Sequence, residues 1–246
     1  MMIELMLGVV VFYGLMHAIE FFAIHAKLGG SLSGNNALAF SLYNTSVTVM
    51  RFAHMLMMPM LGLIVDSTVQ SEHYLLMVLA CLSIAFISLI MIFNVRRLCV
   101  NFYCLVIRSM MQGKSLSRAF IATFFDKKIF EVSSDYLSKI KIEKIDLRLF
   151  GLSVLIYSIQ SLSILLVYFY AMLNTEDRVF IVQFSTLINA FTTMLLVMKV
   201  DPELSVAIER NDAIVNKFYS IYFGRGLALV LVSPIIVLFF YFFNVG

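Results

Sequence analysis

With 61% hydrophobic and only 13% charged residues among its 246, the chain carries about half the roughly 25% charge of soluble domains, which excludes a soluble enzyme with an anchor and describes a polytopic membrane protein. Its net charge of +3 is small, and its basic residues find a simpler explanation in membrane topology and lipid headgroups than in nucleic-acid binding. Cys81, Cys99 and Cys104 show neither a disulfide framework nor metal-ligand spacing and are expected to be packing residues.

Apolar runs of the ~20 residues that cross a bilayer lie near 3–26, 38–66, 74–94, 149–173, 178–199 and 219–243, which predicts six spans. The opening MMIELMLGVV has no basic n-region and no small-residue cleavage site, so the first span is expected to be retained rather than removed as a signal peptide. In that span His17 and Glu20 are three apart and share a helix face, flanked by Tyr13 and Ile24. They are candidates for proton coupling or for an ion pair in which Glu20 neutralises Arg51 or Arg225.

The second span, within Ala37 to Ser67, sets Asn44, Arg51, His54 and Asp66 among apolar side chains. An ionisable group at mid-bilayer costs from a few to more than ~10 kcal/mol and normally faces a bundle interior or a water-filled path. Arg51 is too deep to snorkel easily, and Pro59 followed by Gly62 is placed to bend the helix below it. A lone arginine here also serves as a structural tether; the cluster as a set points to a transport path.

Between the third and fourth spans the stretch 95–148 holds eleven of the eighteen basic residues. The positive-inside rule therefore places it in the cytoplasm and both termini outside. Within it, SLSRAFIATFFDKKIFEV from Ser115 spaces Leu116, Phe120 and Phe124 as an amphipathic helix, suited to lie on the anionic lipids of the inner leaflet. The alternation in KIKIEKIDLRLF leaves strand, tether and helix open.

The second half echoes the first. FSTLINAFTTM from Phe184 in the fifth span resembles FSLYNTSVTVM from Phe40, and YSIQ from Tyr157 matches HAIE from His17 in order. The expectation is an all-α integral membrane protein built as two inverted three-helix repeats, 1–94 and 149–246, joined by a cytoplasmic amphipathic connector, 95–148. In this arrangement Gln160 and Asn189 add hydrogen-bonding groups, and GRG at Gly224 to Gly226 places Arg225 between two residues without side chains. Arginine binds phosphate or pyrophosphate with a planar, permanently charged fork. Two intramembrane arginines therefore point to an anionic, lipid-linked phosphate ligand.

Enzymatic alternatives find less support. His17 and Glu20 are spaced HxxE rather than HExxH, and neither a GxSxG elbow nor a P-loop occurs. No cofactor or metal site is implied. An intramembrane enzyme acting on a polyprenyl phosphate stays open as a rival to a carrier of a lipid-linked glycan.

The run MRFAHMLMMPMLGLIVD from Met50 resembles the second helix of the Amj family of bacterial lipid II flippases. FSLYN from Phe40, the pattern His17, Glu20, Ala23 and Gly29, the VDPELS from Val200 and the Gly224-Arg225 pair are similar to that family in the same order. Departures are Glu20, where a shorter acidic residue is expected, and His54, where a polar amide is. The resemblance implies movement of an undecaprenyl-pyrophosphate-linked peptidoglycan precursor across the inner membrane. It implies further that Arg51 and Arg225 meet the pyrophosphate and that Asn44, Gln160 and Asn189, with His54, line the polar groove. His17, Glu20 and Asp66 would be left to coupling or ion pairing.

Overall fold

The structure is a computed structural model and describes residues 2–67, 69–129, 144–210 and 213–245. Six helices are long and apolar enough to cross a membrane: Met2–Ser33, Asn36–Val65, Ser71–Asn94, Leu147–Leu173, Arg178–Arg210 and Ile214–Asn244. The first three are α1, α2 and α3, and α6 is Leu147–Leu173. The fifth span comprises α7 (Arg178–Leu195) and α8 (Asp201–Arg210), and the sixth comprises α9 (Ile214–Leu227) and α10 (Ser233–Val245). No strand occurs among the described residues.

The first helix of each triplet is its hub: α1 packs against α2 and α3, and α6 against α7 and α9. Long apolar stretches explain the helices themselves, because a backbone in hydrocarbon must satisfy its own hydrogen bonds. Their ends are set by local chemistry. The chain leaves α1 at Gly34, in the left-handed region at φ +70, and Asn35 caps α2 by accepting from the Leu38 amide at 3.1 Å. Asp146 starts α6 by accepting from the amides of Arg148 and Leu149.

Both broken spans share one cause. A π-helical turn, Leu196–Val200, separates α7 from α8, and another, Ala228–Val232, separates α9 from α10. Each ends on a valine followed, two residues on, by a proline: Val200 and Pro202, Val232 and Pro234. A proline ring clashes with the carbonyl four residues back and has no amide to offer it, and widening the preceding turn relieves the clash.

Three boundaries differ from expectation. Helix α1 continues through Lys27 to Ser33, so the turn expected near Lys27 lies at Gly34 and Asn35. Much of the 199–218 connection is helical, because α8 runs to Arg210 and α9 begins at Ile214. The connector also begins as packed structure: α4 (Arg96–Met111) follows α3 after Val95 alone and buries Cys99, Val100, Phe102, Tyr103, Cys104, Val106 and Ile107. Its apolar residues recur at helical spacing beneath the basic ones, and Gly29 of α1 receives it closely. A Cβ there would stand 2.9 Å from Tyr103 Cβ.

Helix α5 (Leu116–Phe124) forms where the amphipathic pattern is read. Phe120 packs edge-on to Phe102 at 5.5 Å, while Phe124 and Phe125 stay exposed. The end of that pattern and the run KIKIE, 139–143, fall in 130–143, outside the described residues.

Candidate functional site

Helix α1 turns a polar stripe into the bundle. Tyr13, His17, Glu20 and Lys27 follow at intervals of four, three and seven, which brings them to one face, and all four are buried. The Arg225 guanidinium of α9 forms an ion pair with the Glu20 carboxylate and lies 3.2 Å from His17 Nδ1. The same cation stands 4.4 Å from the Phe21 ring and 4.3 Å from the Tyr157 ring, so aromatic faces replace water around its plane. Arg225 is only 3% exposed. It lies about three turns into α9, which begins at Ile214.

Gly224 makes that depth possible. A Cβ at this position would come within 2.6 Å of the Phe150 carbonyl oxygen, so α9 meets α6 where only glycine fits. On one side of the cluster, Tyr13 donates to the Ser161 carbonyl at 2.8 Å, and Ser161 Oγ lies 3.0 Å from Ser233 Oγ. On the other, Lys27 donates to Asp201 at 2.8 Å, with its ammonium 4.2 Å from the Tyr43 ring. Each buried cation thus has its own carboxylate, which is the condition for holding a charge out of water. His17 Nε2 is buried without a partner among the described residues.

A second polar site opens between α2 and α7. Arg51, His54 and Met58 line one wall of a groove of about 580 Å³, and Ser185, Asn189 and Thr193 line the other. The helices that form it are polar toward it for a simple reason: α7 spaces Ser185, Asn189 and Thr192 on one face, while Val179, Phe184, Leu187 and Phe191 cover the other. Arg51 is exposed and has no carboxylate partner among the described residues. His54 Nε2 is buried and unpartnered there. Asn189 Oδ1 accepts from Ser163 Oγ at 2.7 Å, and the same hydroxyl lies 3.1 Å from the Gln160 carbonyl. That second contact is a bond within α6 to the backbone of Gln160, whose own Oε1 is buried without a partner among the described residues; Gln160 does not line the groove.

The residues singled out in the sequence therefore divide. His17, Glu20 and Arg225 come together in the sealed cluster; Arg51, His54 and Asn189 come together in the open groove, and Gln160 lines neither. Asn44 is exposed on α2, two turns before Arg51. Asp66 caps the end of α2 and pairs with Arg178 at 2.7 Å, apart from both sites. Arg51 and Arg225 do not share a site. Sequence reasoning passed over Lys27, Asp201, Tyr157 and Ser163. Lys27 falls just beyond the first apolar run, which stops near residue 26, and nothing local marks a serine that bonds across helices.

Among the described residues no group of histidine, cysteine and carboxylate side chains is arranged to hold a metal ion. What the fold and its polar groups define is a multi-pass helical membrane protein with a sealed ion cluster and a separate, open cationic groove. The chain belongs to the Amj family, described as Alternate to MurJ, whose family model matches residues 12–235. It is 29% identical over 210 residues to the lipid II flippase Amj of Bacillus subtilis (strain 168), covering 78% of this chain and 75% of that protein. No solved structure matches it.

Proposed function

We propose that this protein is a flippase that carries lipid II, the undecaprenyl-pyrophosphate-linked peptidoglycan precursor, from the inner to the outer leaflet of the bacterial cytoplasmic membrane. The observation that carries the reading is Arg51: an exposed guanidinium at the middle of a span, lining a groove that opens sideways. A pyrophosphate headgroup cannot cross ~30 Å of hydrocarbon unaided. A groove open along its length lets the headgroup exchange water for protein groups while the prenyl chain stays in lipid.

In this reading Arg51 makes the first bidentate contact with the pyrophosphate. His54, Asn189 and Gln160 offer hydrogen bonds to sugar or peptide, and Asn44 lies on the approach along α2. Arg225 is the second pyrophosphate group only if the anion displaces Glu20, because the pair is closed at rest. His17 and Glu20 are then the coupling groups, and Asp66 serves as an ion-pair residue with Arg178. The concentration of basic residues in 95–148 supports a cytoplasmic connector against anionic lipid, with both termini outside. Two halves, each packed about its first helix, support an inverted-repeat origin for 1–94 and 149–246. The chain carries out no covalent chemistry in this scheme.

The test is the amount of lipid II exposed at the outer face of cells depleted of their other flippase, compared between wild type and Arg51→Ala at equal expression. Restoration by wild type and none by the variant is expected. Failure of well-expressed wild type to restore it would redirect the assignment to another lipid-linked substrate.

A further inference from the structure

The fifth span is held unlike the others. Among the described residues α7 packs chiefly against α6, and of its eighteen residues only Ser185 and Thr192 are buried. Its two ends are secured by different means. At the first turn, Arg178 donates from Nη1 to Asp66 Oδ1 at 2.7 Å and from Nε to the Ala171 carbonyl at 3.3 Å. One side chain thereby joins the start of α7 to the last turns of α2 and α6. Beyond the far end, Asp201 is held by the buried Lys27 at 2.8 Å, which fixes α8 to α1.

Between these anchors lies the π-helical turn Leu196–Val200, where the ladder is already widened by Pro202 and where Val197 and Met198 are exposed. A helix with little packing, a fixed base and a loosened turn above that base has the anatomy of a lever. Its inner face is the wall of the groove opposite Arg51.

We propose that α7 is the gate of the Arg51 groove: it swings about the Leu196–Val200 turn on a base fixed by Lys27 and Asp201, and the Asp66–Arg178 pair is the latch that closes the groove's Asp66 end. This rests on the groove being the passage. The two ion pairs suit their parts. Asp66 is 67% exposed, and an exposed pair is weak enough to open repeatedly; the Lys27 side chain is 3% exposed, and a buried pair does not part so easily. Among the described residues, the polar contact that ties the middle of α7 to α6 is the hydrogen bond from Ser163 to Asn189, and the swing must break it along with the apolar packing around it.

Ser185→Cys supplies the reporter, since Ser185 is fully buried on the groove wall and the replacement is nearly isosteric. In sealed vesicles of known orientation, without lipid II, the rate of labelling by a membrane-impermeant maleimide is measured from the Asp66 side. The parent chain without the reporter gives the background. Asp66→Asn is expected to raise that rate about threefold to fivefold, the loss of one exposed pair. The exchange of Asp66→Arg with Arg178→Asp is expected to return it to the reporter's own level. Pro202→Ala added to Asp66→Asn is expected to suppress the rise by restoring an α-helical turn. A rate that ignores Asp66→Asn, or that stays high in the exchanged pair, overturns the latch. A rise that persists with Pro202→Ala overturns the hinge. Because no substrate is present, the result is independent of the transport test: full lipid II exposure with Arg51→Ala would remove the groove from the pathway and leave the labelling result standing.

Discussion

Removing the carboxylate of Glu20 is the sharpest perturbation the structure offers. Glu20→Ala leaves the Arg225 guanidinium charged, since it does not deprotonate in proteins, and sealed at 3% exposure. Breaking one partner from a buried pair costs about 3–5 kcal/mol. Here the stranded cation keeps His17 Nδ1 at 3.2 Å and two aromatic faces at 4.4 and 4.3 Å, and a desolvated cation–π contact is worth up to about 2 kcal/mol. These contacts exist in the wild type too, so they do not offset the loss, but they keep the arginine from rearranging the bundle. The expected cost therefore lies at the lower end, about 3 kcal/mol. Denaturant unfolding in mixed micelles measures it. The companion variant, Glu20→Leu with Arg225→Met, removes both charges and is expected to recover to within about 1 kcal/mol of wild type, because well-packed apolar pairs often match a buried ion pair. A Glu20→Ala loss below about 1 kcal/mol, or a double variant no better than the single, would refute a sealed and mutually dependent pair.

Gly224→Ala is expected to destabilise by about 1–3 kcal/mol, the range for overpacking, because its Cβ meets the rigid Phe150 carbonyl at 2.6 Å; Gly62→Ala, with nothing within 4 Å, serves as the control in the same unfolding assay and should lose nothing. Arg51→Lys keeps the charge and loses the fork, so it should restore less outer-face lipid II than wild type; full activity would count against bidentate recognition. Cys99 lies on α4, outside the spans, and burial pushes its thiol up to about 12. At pH 8 only about one molecule in 10,000 is then thiolate, so native protein should leave Cys99 unmodified by maleimide on a timescale that labels it fully after unfolding, with peptide mass spectrometry as the readout.

The spans were legible because hydrocarbon imposes one rule on every backbone group within it, and a run of apolar residues is that rule written in sequence. Their ends were less so. The first apolar run stops near residue 26 because a lysine follows, yet Lys27 is inside α1; its partner, Asp201, lies 174 residues away, and nothing near Lys27 announces it. Helix α4 was missed for the opposite reason. Its charges dominated the reading of 95–148 as a connector, although Cys99, Tyr103, Val106 and Ile107 already held the spacing of a buried face. The π-helical turns carry a sequence mark, a valine followed two residues later by proline, but proline alone does not dictate one: Pro59 lies within the continuous α2.

The two arginines show where one-dimensional reasoning stops. Each lies in an apolar stretch, and in sequence Glu20 is a candidate partner for either. Gly224 and Gly226 on both sides of Arg225 mark a close approach in the sequence but not what approaches. The structure separates them by burial and by counter-ion: Arg225 is enclosed and neutralised by Glu20, whereas Arg51 faces a groove with no carboxylate to meet it among the described residues. A buried cation with its own anion is held by the fold and becomes a ligand group only when that pair opens. An exposed intramembrane cation without one is stabilised by whatever anion enters the groove, and for a charge facing hydrocarbon that need is large. Under the proposed function, the electrostatic demand of Arg51 and the solvation demand of a lipid-linked pyrophosphate would be met by the same contact.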